Sequence, residues 1–214
     1  NVARQRVSAG ALDSSLCERP NPSSEDTVDR QDEPLSKTQV GKRKVHSLID
    51  KVYSRTNLTL AWEKVKQNHG SAGIDAVTIT EFEANKAIYL DRLHCQLRDG
   101  TYQPQPVKRV EIEKSDGGVR TLGIPAIFDR VCQQALVQRM DPIFEPLFED
   151  CSFGYRKGRS PHDAMRRVWQ DLNAGYGWCV DADLRTFFDT IPQQRLVDLI
   201  AEEISDGRVL QLIW

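Results

Sequence analysis

VKRVEIEKSDGGVRTLGI, residues 107–124, is the stretch on which the fold turns. VKRVEIEK (107–114) alternates apolar and charged residues, SDGG (115–118) supplies Asp and Gly for a tight reversal, and VRTLGI (119–124) resumes an extended pattern. Period two on both sides of a turn signal is a β-hairpin. The segments that flank it read as helices, so the chain is helix-rich and the hairpin interrupts it.

Upstream, the apolar period is helical from about Lys42, with Val45, Leu48, Ile49 and Val52 on one side. A second helix is expected after Asn57, ending at Gly70. A third has a capping box in Thr80 and Glu83 and an apolar stripe through Phe82, Leu90, Leu93 and Leu97, and Gly100 stops it. Downstream, helical spacing runs from Ile127 to Met140, and a short element follows Pro142. The loop CSFGYRKGRS (151–160) leads into a helix marked by Ser160 as N-cap, Pro161 at the first position and Asp163 at the third. After Gly177, WCVDADL (178–184) reads as a short strand with Trp178, Val180 and Ala182 on one face and Cys179, Asp181 and Asp183 on the other. Pro192 opens a helix to about Ile204, and SDG (205–207) breaks it before a final helical pattern.

Residues 1–40 are rich in Ser, Pro, Asp and Glu and carry no sustained apolar period. They offer too little surface to bury against the entropy of ordering, so a disordered leader is expected there. The leader holds five Lys/Arg against seven Asp/Glu, which accounts for the whole net charge of -2. The neutral remainder lacks the strong basic footprint of a protein that binds nucleic acid mainly through phosphates. Five cysteines, an odd number and never in C-x-x-C spacing, suggest neither a disulfide framework nor a zinc site and fit a reducing cytoplasm. There is no long apolar run, so no membrane span is expected.

Three clusters can carry chemistry. Asp183, with Asp189 shortly after it, puts hard oxygen ligands beside an aromatic pair, which suits a divalent metal next to a nucleotide; the same two residues serve equally as turn chemistry at a strand end. Lys114 and Arg120 flank the hairpin tip, where they could reach phosphates or stand as solvated charges. From Cys151 to Gln170 there are five Lys/Arg, residues 156, 157, 159, 166 and 167, against the single acid Asp163. Arg156, Lys157 and Arg159, with Phe153 and Tyr155 between them, suit a nucleic-acid strand through phosphates and stacking, or form an exposed basic loop with no ligand.

The series GSAGIDAVTITEF (70–82), GTYQPQPVKRVEIEKSDGGVRTLGIPAIFDRVCQQAL (100–136), PIFEPLFEDCSFGYRKGRSPHDAM (142–165) and VDADLRTFFDTI (180–191) resembles the group II intron reverse transcriptase and maturase family, in that family's order, over roughly residues 45–214. The resemblance implies an α+β fold, the fingers and partial palm of a right-hand polymerase. Residues 1–40 would be the leader, 41–174 the fingers region and 175–214 the start of the palm, truncated. It implies RNA-directed DNA synthesis with Mg²⁺, RNA template and intron RNA, a DNA primer and dNTPs as partners. By position, Asp183 matches the first catalytic aspartate and metal ligand, and the Leu184 carbonyl a second ligand. Phe188 matches the ring beneath the sugar that excludes a 2′-hydroxyl. Lys114 and Arg120 match the residues that grip the triphosphate. Asp181 shares a face with Asp183, but the family does not use that position as a ligand.

Two features of the family do not occur before Trp214: the proline-glutamine-glycine segment, and the tyrosine-alanine-aspartate-aspartate hairpin with the remaining metal-binding carboxylates. The sequence therefore reads as an N-terminal fragment, inactive alone, whose missing palm a second polypeptide could supply. The alternative is a non-catalytic RNA-binding fragment of an intron maturase. A small nuclease built on Asp181, Asp183 and Asp189 is disfavoured, because no His or Glu cluster accompanies them.

Overall fold

The computed structural model describes residues 44–113, 115, 117–184 and 187–214, and of Asp189 the backbone alone. The expected leader, residues 1–40, and Lys114 lie outside the described residues. The elements run α1 (Ile49–Val52), α2 (Arg55–Gln67), α3 (Ile79–Ala84), α4 (Lys86–Asp99), β1 (Lys108–Glu113), β2 (Val119–Ile124), α5 (Ile127–Phe144), a 3₁₀ turn (Glu145–Leu147), α6 (Pro161–Asn173), α7 (Phe187–Thr190), α8 (Gln193–Glu203) and α9 (Gly207–Ile213). The arrangement is α+β and helix-rich, with one antiparallel two-stranded sheet among the described residues. None of the described helices is long and apolar enough to cross a membrane.

The core sits where α2 meets α5. Leu58, Ala61, Trp62 and Val65 recur at helical spacing on α2 and face Ile127, Val131, Cys132 and Ala135 of α5, all of them buried. Asn57 lies within this contact, 1% exposed, and is satisfied on every side. Its Nδ2 donates to the carbonyls of Val52 (2.9 Å) and Ala135 (3.0 Å), and its Oδ1 accepts from Gln138 Nε2 (3.0 Å). Burial pushes the Cys132 thiol up to about 12, so it packs as a small neutral side chain.

Several boundaries differ from the sequence reading, each for a local reason. α2 begins at Arg55 with Ser54 as N-cap, which places Asn57 inside the helix. The third helix starts two residues earlier than expected, because Thr78 accepts from the Glu81 N–H at 3.2 Å. Glu83 is thereby released from a capping role and accepts from Trp62 Nε1 at 2.6 Å. The helix also breaks at Asn85, dividing α3 from α4, and Gly100 closes α4 at φ +70° as expected. α5 continues through Pro142 to Phe144, since Ile143 and Phe144 pack against the core and that burial offsets the lost hydrogen bond.

The expected strand 178–184 is not formed. Trp178 is 98% and Val180 93% exposed, and no described strand pairs with the segment. An alternating pattern specifies which residues share a face, but strand geometry is held by a partner's hydrogen bonds.

The last two helices close onto the first residues of the described chain. Val45 pairs with Glu203 and Ser205 through backbone bonds of 2.9 and 3.1 Å. Asp206 caps α9 through the N–H groups of Arg208 and Val209, and its other oxygen accepts from Ile49 N–H at 2.8 Å at the start of α1. Partial burial raises the Asp206 pKa, but the backbone donors at Ile49, Val209, Arg208 and Leu48 outweigh it and hold the carboxyl below its usual range. Asp206→Ala is expected to cost ~1–2 kcal/mol at neutral pH. Because the folded-state value is the lower one, this stabilisation is complete above the unfolded-state pKa of about 3.9 and disappears as pH falls through the folded-state value. Urea unfolding from neutral to acid pH should show a gap between parent and variant that closes at the acid end; a gap independent of pH would contradict the assignment.

Candidate nucleic-acid interface

Each candidate residue is placed by a local device. In the hairpin, Val110 pairs with Leu122, Ile112 with Arg120 and Glu113 with Val119, and between the strands Gly117 stands at φ +81°. Only Val110 and Ile124 are partly shielded; the rest of both strands is exposed. Arg120 is exposed on β2 beside this turn.

The loop 148–160 is organised by its own arginines. Arg156 donates to Glu145 Oε1 (2.7 and 3.0 Å) and to the carbonyls of Glu149 (2.7 Å) and Ser152 (3.0 Å), and its guanidinium lies 5.3 Å over the Phe148 ring. Its side chain is only 7% exposed. Arg159 donates to the Asp150 carbonyl and lies 5.4 Å over the Phe153 ring. Two of the three cations picked out from the sequence therefore bind their own loop, a use that composition does not distinguish from contact with phosphate. Lys157 is exposed, and Tyr155, at φ +57°, is 99% exposed at the loop's apex.

The loop ends in the expected capping box: Ser160 accepts from Asp163 N–H, and the Asp163 carboxylate accepts from Ser160 N–H at 2.9 Å. The Ser160 hydroxyl and backbone bonds, with Arg166, hold the Asp163 carboxyl low. α6 then exposes Met165, Val168, Trp169 and Leu172, which share one face at positions i, i+3, i+4 and i+7.

Tyr155 meets Phe188 edge-on with ring centroids 6.4 Å apart, and Phe188 contacts Phe187 at 5.3 Å. One ring of the basic loop thus stands near α7, from which it is separated in sequence by α6 and the extended segment, although both Tyr155 and Phe188 remain exposed. Asp183 and Leu184 lie just ahead of α7 and are exposed. Sequence reasoning placed the loop and Phe188 separately and did not anticipate their contact, because no periodicity links an apex residue to a distant short helix.

The family described as Reverse transcriptase (RNA-dependent DNA polymerase) matches residues 112–208. Protein YkfC of Escherichia coli (strain K12) is 40% identical over 146 residues, covering 66% of this chain and 38% of that protein. Group II intron-encoded protein LtrA of Lactococcus lactis subsp. cremoris is 34% identical over 177 residues, 78% of this chain and 29% of that protein. The Uncharacterized 91 kDa protein in cob intron of Schizosaccharomyces pombe is 31% identical over 166 residues, 77% of this chain and 20% of that protein. The chain thus spans well under half the length of these relatives. Over the matched region, this chain belongs to the group II intron-encoded reverse transcriptase and maturase family.

Proposed function

We propose that these residues are the fingers and the opening palm segment of an RNA-directed DNA polymerase that acts in the cytoplasm on intron RNA. The observation that carries the reading is the match of residues 112–208 to the reverse transcriptase family, and the Tyr155 ring of the basic loop, edge-on to that of Phe188 at 6.4 Å, supports it. In this reading, Arg120 and Lys114 hold the triphosphate of an incoming dNTP. The Phe188 ring lies beneath its sugar, and Lys157 and Tyr155 meet the RNA template or primer strand by charge and stacking. Arg156 and Arg159 contribute to that strand contact by keeping the loop in shape.

The donor chemistry of Asp183 and the Leu184 carbonyl, hard anionic and neutral oxygen, fits Mg²⁺. Among the described residues no group of three or more His, Cys, Asp or Glu side chains stands together to hold a metal, so this segment furnishes only part of an octahedral shell. When bound, Mg²⁺ neutralises phosphate charge during nucleotidyl transfer. The 214 residues by themselves are therefore expected not to extend a primer. Adding a polypeptide with the second carboxylate-bearing palm segment should restore extension on primed RNA with dNTPs and Mg²⁺. RNA binding without extension in the complemented mixture would instead favour a non-catalytic RNA-binding role.

Phe188→Ala is expected to preserve deoxynucleotide extension and to admit ribonucleotides, because the proposed role of the ring is steric. Comparing kcat/KM for dNTP and rNTP checks this, and an unchanged ratio would remove Phe188 from the sugar site.

A further inference from the structure

The hairpin has almost nothing packed on either face, so its direction is set at its root, and two adjacent residues of α5 each bond one of its two legs. On the incoming leg, Asp129 Oδ2 accepts from Gln105 N–H at 3.0 Å, while its Oδ1 accepts from the Tyr102 hydroxyl at 2.7 Å. On the outgoing leg, Arg130 Nε donates to the Pro125 carbonyl at 3.0 Å, and its Nη2 donates to the carbonyl of Ser71 in the loop that follows α2. Asp129 is 2% exposed, and its neighbours Ile127, Phe128, Val131 and Cys132 are all buried, so both grips stand on the helix at the centre of the core. The Ser71 loop is itself seated tightly. A Cβ at Gly73 would lie 2.5 Å from Ala126 Cα and 2.7 Å from its nitrogen, so only glycine lets the loop come against the outgoing leg.

A two-stranded ribbon carried on two legs pivots unless both are fixed. An anionic side chain takes the N–H of one leg, and the next residue, a forked cation, takes the carbonyl of the other; removing either takes away the side-chain hydrogen bond that ties that leg to α5. We propose that Asp129 and Arg130 are positioning residues for the incoming nucleoside triphosphate: through the hairpin root they fix the direction in which Arg120 is presented. The role of the root rests on geometry alone. Its link to the nucleotide rests on the reading above, in which the hairpin grips the triphosphate.

The test has two arms, so that the two parts fail separately. In the first, nitroxide labels on genetically encoded amino acids at Lys64 of α2 and Glu113 of β1 report the hairpin's direction by electron–electron distance measurement on the 214-residue chain. The parent is expected to give one narrow distance peak. Arg130→Met, which keeps the aliphatic stem and removes both donors, and Asp129→Asn are expected to lose it. Arg130→Lys, which can reach one of the two carbonyls, should recover part of it. Gly73→Ala forces the outgoing leg aside without touching a buried charge, so it gives the same readout if a buried-charge variant fails to fold. Narrow, unshifted peaks in Arg130→Met and Gly73→Ala would overturn the proposal.

The second arm measures binding of dGTP with Mg²⁺. Arg130→Met and Arg120→Ala should each weaken it about tenfold, the scale of one charge-assisted hydrogen bond lost. If the distance peak is lost while the parent binds no dGTP, or binds it no better than Arg120→Ala, the triphosphate reading of the hairpin is wrong. The nucleotide role of Asp129 and Arg130 then falls with it, and they are left as anchors of the hairpin.

Discussion

Asp183→Ala is expected to cripple primer extension by the chain complemented with the second carboxylate-bearing palm segment, with a loss on the order of 10²–10³-fold. That is the scale on which removing one preorganised electrostatic group acts in a water-excluded site. In the proposed site Asp183 is the carboxylate that would reach the metal, and the neighbouring Leu184 carbonyl offers a neutral oxygen only. Without the carboxylate the segment retains no anionic donor at that point, so the reacting phosphate and the primer hydroxyl are no longer held for in-line attack. Asp183 is exposed, so the substitution should leave folding within about 0.5 kcal/mol of the parent, as surface changes usually do. Single-turnover extension and thermal melting, run on the same preparation, separate the two effects. Extension at the parental rate by the variant would remove Asp183 from the polymerase site and leave the basic loop as the functional surface.

Trp62→Ala is the change with the largest expected effect on stability, a loss of about 3–5 kcal/mol. The side chain is fully buried between α2 and α3, and its ring stacks on Phe82 with centroids 4.3 Å apart; Phe82 in turn stacks on Tyr89 at 4.6 Å. Its Nε1–H donates to Glu83, whose carboxyl is held below its usual range first by the Lys66 hydrogen bond and then by that of Trp62. Truncation therefore removes a large buried surface, the end of a ring stack and a polar partner together. A typical domain has only about 5–15 kcal/mol of stability to lose, so urea unfolding should show a much lower midpoint or no cooperative transition. Trp62→Phe should recover most of the packing but not the Glu83 bond. A midpoint unchanged by Trp62→Ala would mean that α3 does not depend on this contact.

Local rules legible in the chain determined much of this protein. The hairpin formed where alternation met Asp and Gly, the α6 capping box formed from Ser160 and Asp163, and Gly100 ended α4 in the left-handed conformation. These devices are complete within a few residues, so sequence is enough to specify them. The choice between Thr78 and Thr80 as N-cap was not legible, because both are followed by Glu three residues on. It was decided by Trp62, which claims Glu83 from a different helix.

The site divides along the same line. The order of the motifs carried the family resemblance, and through it the proposed roles of Asp183, Phe188 and the hairpin, because residue types at fixed spacing are a property of the chain. Whether a cation faces outward is not. Arg156 and Lys157 are neighbours of like charge, yet one is enclosed by Glu145, two carbonyls and a ring while the other is exposed, a difference made by residues that fold back on it. The strand expected at 178–184 had the right alternation but no partner among the described residues. Asp129 and Arg130 read as ordinary first-turn residues of a helix, and their grip on the hairpin exists only once the two legs are brought to α5. The sequence alone determined which groups this protein has and which short motifs they build. The tertiary structure decided which of those groups are already bound to the protein and which remain turned outward, because that depends on desolvation and on partners distant in the chain.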